Sequence, residues 1–260
     1  MRTKDMEAMK ILFEAVHNES PRLYSPAALK SAIENEGHKE VERLRQAERF
    51  LQQVIQLKNV CFHKAASRGD MELVKFFLGI GVDADIDIFK ESIGYQTALA
   101  VASAGGHLDV MEYLISIGAR LNPPFDRNRK CWDRSPLTAA SEEGMLEAVE
   151  VLLQAGANVD GDLGLYAAVS KGHLLVARCL LEAGSDANLA QGWHKGVSYG
   201  EGNTPLEAAI QGANNEVVAA LLEERLHLRG RVPYSAAEKG FFSILQRLID
   251  AGAEINVRAI

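Results

Sequence analysis

Chemistry in this chain would have to be drawn from 7 histidines, 3 cysteines and 35 Asp plus Glu residues. Cys61, Cys131 and Cys179 are an odd number and stand far too widely spaced for a zinc motif, so they predict neither a disulfide framework nor a metal site. Unpaired thiols fit a reducing compartment. His107 and His173 each follow a glycine, Gly106 and Gly172, and each opens an apolar segment. A packing role at a helix start therefore outweighs one as base or metal ligand. Cys179 lies among apolar residues and is expected to be inert, whereas Cys131 sits in a polar stretch open to modification; neither has a catalytic partner in view. Gly105-Gly106 reads as a helix end, since the glycines stand singly at turns and do not gather into a phosphate-cradling loop. With no nucleophile, base and orienting group in prospect, the chain is expected to be no enzyme and to carry no cofactor and no metal.

Residue types suited to binding are more prominent. The stretch from Pro123 to Arg134 holds Phe125, Arg127, Arg129, Lys130, Trp132 and Arg134, and a later one holds Trp193, His194, Lys195 and Tyr199. Trp and Arg are enriched where protein interfaces concentrate their energy. The alternative is that Trp132 and Trp193 fold back to cover neighbouring helices. Charge adds a contrast: Asp83, Asp85, Asp87 and Glu91 precede a stretch carrying Arg120, Arg127, Arg129, Lys130 and Arg134. These opposite signs either brace adjacent loops against each other or present a bipolar surface to a partner.

The elements that position these residues recur along the chain. A small-turn position appears at Gly69, Gly106, Gly144, Gly172, Ala213 and Gly240, and four residues before each stands an alanine: Ala65, Ala102, Ala140, Ala168, Ala209 and Ala236. Alanine favours helix and lets helix axes approach closely, so the segment before each turn is a packing helix. After each turn, positions four, five, eight and nine are apolar, as in Leu73, Val74, Phe77 and Leu78 or Val176, Ala177, Leu180 and Leu181. That spacing makes one buried stripe on a second helix. Gly81, Gly118, Gly156, Gly184 and Gly252 close the second helices, and only the fifth repeat differs, with Arg225.

Ser135-Pro136-Leu137-Thr138-Ala139-Ala140 up to Gly144, followed by Ala155-Gly156-Ala157-Asn158-Val159-Asp160, resembles the ankyrin repeat. Thr204-Pro205-Leu206-Glu207-Ala208-Ala209 and Gly106-His107-Leu108-Asp109-Val110 agree, and the resemblance covers roughly residues 60 to 256 with six repeats in register. It implies an all-α solenoid of stacked helix-turn-helix units with finger loops. The histidine of the family's Thr-Pro-Leu-His signature survives only as His63; the same position holds Ala100, Thr138, Tyr166, Glu207 and Tyr234. The resemblance further implies a concave contact surface of finger tips and first helices. On that map Tyr95, Ala100, Thr138, Tyr166, Glu207 and Tyr234 join the loop residues as partner-binding candidates. It also implies that Asn188 and Asn256, at finger starts, are possible hydroxylation sites in an animal cell.

Successive turns are 37, 38, 28, 41 and 27 residues apart, against about 33 for the family. Long fingers are therefore expected at 82–96, 119–134 and 185–203, with short links elsewhere. Residues 1–59 are read as a helical N-terminal cap or degenerate repeat, and residues 60–260 as the ankyrin repeat domain. Ser25-Pro26 starts a helix, Gly37 stops it, and Val41, Leu44, Leu51, Val54 and Ile55 lie along one side of a long helix reaching about Lys58. A polar-faced cap is what an open array requires; the rival is a separate docking module. The C-terminus shows no recognisable cap, so the last repeat either caps itself or belongs to a longer chain.

The net charge of −7 argues against nucleic acid or an acidic membrane as main partner, and no window has the run of about 20 apolar residues of a membrane helix. The expected function is a non-catalytic module, scaffold, adaptor or inhibitor, binding a protein partner through fingers and concave face. It is expected to be monomeric apart from that partner and cytoplasmic, with the nucleus or a host cytosol as alternatives. A two-module recruiter whose N-terminal helices dock a second complex, and a regulatory fragment of a larger enzyme or channel, are the competing functions.

Overall fold

The computed structural model describes residues 53, 55–90, 94–122, 134–160, 163–188, 204–223, 236–237 and 241–252, the side chains of 88–90 and 94–95 excepted. Residues 55–66 form helix α1. It is followed by α2 (Met71–Gly79), strands β1 (Ile88–Lys90) and β2 (Gly94–Gln96), α3 (Ala98–Ala104) and α4 (Leu108–Ser116). Then come α5 (Pro136–Glu143), α6 (Leu146–Gln154), α7 (Gly164–Lys171), α8 (Leu174–Glu182), α9 (Pro205–Gln211), α10 (Asn215–Glu223) and α11 (Phe242–Asp250). First helices α3, α5, α7 and α9 pack in sequence on one another, second helices α2, α4, α6, α8, α10 and α11 do the same, and each first helix packs on its own second helix. The result is the expected all-α solenoid. Its addition is an antiparallel hairpin in the first finger, pairing Ile88 with Gln96, Phe89 with Tyr95 and Lys90 with Gly94.

The recurring alanine has two structural duties. Its side chain is buried at all six positions, and its carbonyl accepts the amide of the residue just after the turn: Asp70, His107, Met145, His173, Asn214 and Phe241, at 2.9–3.1 Å. This bond reaches back across the turn and satisfies a carbonyl that the helix end would orphan. It needs a left-handed residue between its ends, which Gly144 supplies at φ 73°. Helix starts are equally explicit. Thr97, Ser135 and Thr204 side chains accept the amides of Ala100, Thr138 and Glu207, with Pro136 and Pro205 at the first helical position.

Core burial follows the apolar stripes with one refinement. In each of the first four second helices three stripe positions are buried, as with Val110, Met111 and Leu114, while the fourth (Leu78, Ile115, Leu153, Leu181) is only partly covered. The helix predicted to reach about Lys58 runs uninterrupted to Ala66, so the 59/60 boundary lies inside a continuous helix. The remainder of the N-terminal cap lies outside the described residues, as do Arg225 and Gly240. Among the described residues no helix is long and apolar enough to cross a membrane.

Candidate partner-binding face

The position six residues before each turn was expected to present side chains to a partner, and the structure divides it. His63 is buried, and its Nε2 lies 2.8 Å from the Ile86 carbonyl, tying α1 to the base of the first finger. Ala100 is fully buried in the core, so it is not a contact residue. Thr138, Tyr166 and Glu207 are half-buried on α5, α7 and α9, three helices packed in succession, and they form a line at the base of the fingers. Each is partly committed. The Thr138 hydroxyl accepts from Ser135 Oγ at 3.2 Å, Tyr166 packs against the core, and Glu207 Oε2 accepts the Thr204 amide at 3.0 Å, completing a capping box.

Arg134 has a different role from the free finger arginine suggested by its sequence context. Its side chain is only 9% exposed, and Nη2 lies 2.6 Å from Glu142 Oε2 and 3.3 Å from Glu143 Oε1. Lys171 of the next first helix reaches Glu142 Oε1 at 3.7 Å, so the root of the second finger, α5 and α7 share one ionic network. Covering the guanidinium raises the strength of these contacts above that of an exposed pair. The acidic and basic fingers are also joined at their bases. Asp85 Oδ1 accepts the Arg120 amide at 2.7 Å and Asp85 Oδ2 stands 3.8 Å from Arg120 Nε, which is the bracing alternative at the described end of these loops.

That contact belongs to a ladder which sequence reasoning missed. Asn122 Oδ1 accepts the Asn158 amide and Asp160 Oδ1 the Asp186 amide, each at 2.8 Å. Within single fingers Asp83, Asn158 and Asp186 accept the amides of Asp85, Asp160 and Asn188. The available signal was an Asp or Asn four residues after each closing glycine (Asp85, Asn122, Asp160, Asn188 and Asn256), joined by one two residues after it at Asp83, Asn158 and Asp186. Asn188 is half-buried with its amide engaged in this way.

The chemistry-bearing residues are used for structure. His107 Nε2 lies 3.0 Å from the Ser67 carbonyl and His173 Nε2 3.0 Å from the Glu142 carbonyl, each bridging to the preceding repeat's turn. Burial pushes the Cys61 thiol above its ordinary pKa, with Lys64 opposing; burial, then the Glu150 and Glu182 carboxylates, push the Cys179 thiol up. Both are thereby kept in the weakly nucleophilic thiol form. Among the described residues no group of three His, Cys, Asp or Glu side chains could hold a metal ion. Phe125, Arg127, Arg129, Lys130, Cys131, Trp132, Trp193, His194, Lys195, Tyr199, Tyr234 and Asn256 lie outside the described residues, and Tyr95 is described only as backbone within β2.

The chain matches the family model for ankyrin repeats in three copies, over residues 62–162, 121–191 and 165–259. It is 30% identical over 206 residues to the ankyrin repeat and KH domain-containing protein mask-1 of Caenorhabditis elegans, covering 74% of this chain but 7% of that protein's length. It is 31% identical over 205 residues to the ankyrin repeat protein YahD of Escherichia coli (strain K12), covering 73% of this chain and 94% of YahD. The crystal structure of the human ASB11 ankyrin repeat domain shares the fold, with a TM-score of 0.60 at 23% identity over 76% of this chain and 86% of that one.

Proposed function

This chain belongs to the ankyrin repeat family, and we propose that it is a non-catalytic scaffold, adaptor or inhibitor that grips one folded protein between its fingers and first helices. Ankyrin repeats are generally protein-interaction modules, and their fold is typically non-enzymatic. The observation that carries the finer reading is the line of Thr138, Tyr166 and Glu207 on successive packed helices, each only half-buried. On α5, α7 and α9 the apolar Leu137, Leu165 and Leu206 are buried, so the half-buried groups of this line are what these helices offer a partner. The short link of residues 155–163 between α6 and α7 leaves Tyr166 without a long finger of its own repeat, between the long stretches at 119–134 and 185–203. The proposed partner element rests on Tyr166 and Thr138, and Arg127, Arg129, Lys130 and Trp132 of the 119–134 stretch and Trp193, His194, Lys195 and Tyr199 of the 185–203 stretch are its further candidate contacts. Its charge would complement a locally basic second finger. The buried thiol Cys61 and half-buried thiol Cys179, both unpaired, suit the cytoplasm.

The test is affinity capture from lysate with the intact chain, an Arg127→Glu, Arg129→Glu, Trp132→Ala variant, and a Tyr166→Ala, Lys171→Glu variant. A protein retained by the intact chain and lost from both variants supports the slot. Identical protein sets from all three remove the finger reading and move the site to the N-terminal helices.

A further inference from the structure

The third residue after the turn is a carboxylate in four repeats, Glu72, Asp109, Glu147 and Glu216, where it complements the positive end of the second helix. The fourth repeat has Leu175 there, 65% exposed. It gives up the favourable charge and gains little burial, so neither the helix nor the core accounts for it. Cys179, one turn further along α8, is half-buried, as are Val151 on α6 and Tyr113 on α4 at the corresponding positions. With Leu175 they make an apolar row across the outer side of three helices packed in succession. Carboxylates flank the row: Asp109 and Glu112 on α4, Glu147 and Glu150 on α6, Glu182 on α8. All are exposed, and among the described residues none of them is in an ion pair. Glu150 and Glu182 both act on the Cys179 thiol, which sets negative charge from two helices around the apolar centre. The nearby cations are engaged at the ends of the row, Arg178 3.6 Å from Glu223 on α10 and Lys75 of α2 5.4 Å from the centre of the Tyr113 ring.

An apolar row rimmed by one sign of charge is complementary to an element that carries an apolar stripe between cations. We propose that the outer face of α4, α6 and α8 is a second docking surface whose occupant is a basic amphipathic helix of another protein. Its apolar side chains lie on Leu175, Cys179, Val151 and Tyr113, and its Lys or Arg side chains meet the flanking carboxylates. Packed helices stand about 9 Å apart, so an occupant of about 18 residues, about 27 Å long, spans all three. An acidic membrane is repelled by the same charges. The face belongs to second helices, whereas Thr138, Tyr166 and Glu207 stand on first helices, so the chain can hold two proteins at once.

Fluorescence anisotropy of the full chain with a labelled Leu-Lys peptide of about 18 residues, its leucines three and four apart on one helical face, tests this. A peptide of the same composition with the leucines spread around the helix controls for charge alone. The amphipathic peptide is expected to bind more tightly than the control, and less tightly as salt rises. Leu175→Glu restores the residue type of the other repeats, so it makes the face more acidic while removing its apolar centre. It is expected to weaken binding by about tenfold or more with unchanged circular dichroism. Glu147→Gln with Glu150→Gln is expected to weaken binding by about three- to tenfold at low salt and to reduce its salt dependence. Tyr166→Ala is expected to leave peptide binding unchanged, which separates this face from the finger slot. Binding kept or tightened by Leu175→Glu overturns the proposal, as does equal binding of the two peptides or none of either. Self-association of the chain that Leu175→Glu abolishes, read by sedimentation, gives the face to a second copy and overturns it as well.

Discussion

Ser141 and Ser103 occupy the same place in consecutive repeats, three residues before the turn, and both are fully buried. Their hydroxyls differ. Ser103 Oγ donates to the Leu99 carbonyl at 2.7 Å, whereas Ser141 Oγ has no hydrogen-bond partner and points toward the start of α7, where a Cβ built on Gly164 would lie 3.3 Å away. A buried hydroxyl without a partner costs about 1–3 kcal/mol, and alanine gains about 0.5 kcal/mol over serine in a helix interior. Against these stands the lost packing of one oxygen, under about 1 kcal/mol. Ser141→Ala is therefore expected to stabilise by about 1–2 kcal/mol, which for a chain of this size raises Tm by roughly 2–6 °C. Ser103→Ala exchanges a made bond for propensity and is expected to change stability by less than about 0.5 kcal/mol or to lower it. Urea titration by circular dichroism, with thermal melts, measures both. Gly164 sharpens the test, because its φ is not left-handed and the Cβ contact to Ser141 Oγ is the tightest it would make. Gly164→Ala should add more stability in the Ser141→Ala background than alone, a positive coupling in the double-mutant cycle. A lower urea midpoint for Ser141→Ala than for the unsubstituted chain would refute the reasoning, since the hydroxyl would then be satisfied.

Three further perturbations follow from the same contacts. His173→Ala removes the 3.0 Å bridge to Glu142 and is expected to lower the urea midpoint by the equivalent of about 1–2 kcal/mol, with no loss of helical signal before the transition. Arg134→Ala leaves Glu142 with Lys171 alone and should cost about 1–2 kcal/mol; Lys171→Ala, an exposed pair, should cost under about 1 kcal/mol, and equal losses for the two would contradict the network as described. For Cys179, whose pKa is raised by burial and by Glu150 and Glu182, thiol labelling near neutral pH should be slow and should accelerate as pH rises. Removing both carboxylates with Glu150→Gln and Glu182→Gln lowers the thiol pKa, enlarges the thiolate fraction and should quicken labelling at fixed pH; an unchanged rate would mean that access alone controls it.

Much of the fold was readable from residues within a few positions of one another. The six alanines, the turn glycines and the apolar stripes repeat because a helix end, its reversal and the next helix are short-range events with energies set by nearby backbone. Ser135-Pro136 and Thr204-Pro205-Leu206-Glu207 announced helix starts for the same reason, and Glu207 entered the capping box that its spacing from Thr204 allows. The three-residue stripe and its half-covered fourth position could be anticipated only in part, because burial at that edge depends on the neighbouring repeat.

Other features were decided by the stacking itself. Sequence alone left Arg134 as a partner-facing finger residue, yet it is covered and paired with Glu142 and Glu143 across the α5 surface. It gave Asp85 and Arg120 opposite signs without saying whether they met, and their carboxylate-to-amide contact joins residues of different repeats. His63 and Ala100 share a register with Tyr166 but are buried where Tyr166 is half-exposed. Periodicity thus determined what each repeat is, because it is encoded within one helix-turn-helix unit. The choice between pairing and exposure fell to the tertiary structure, because it depends on distances between repeats and on whether a partner group displaces water from the charge.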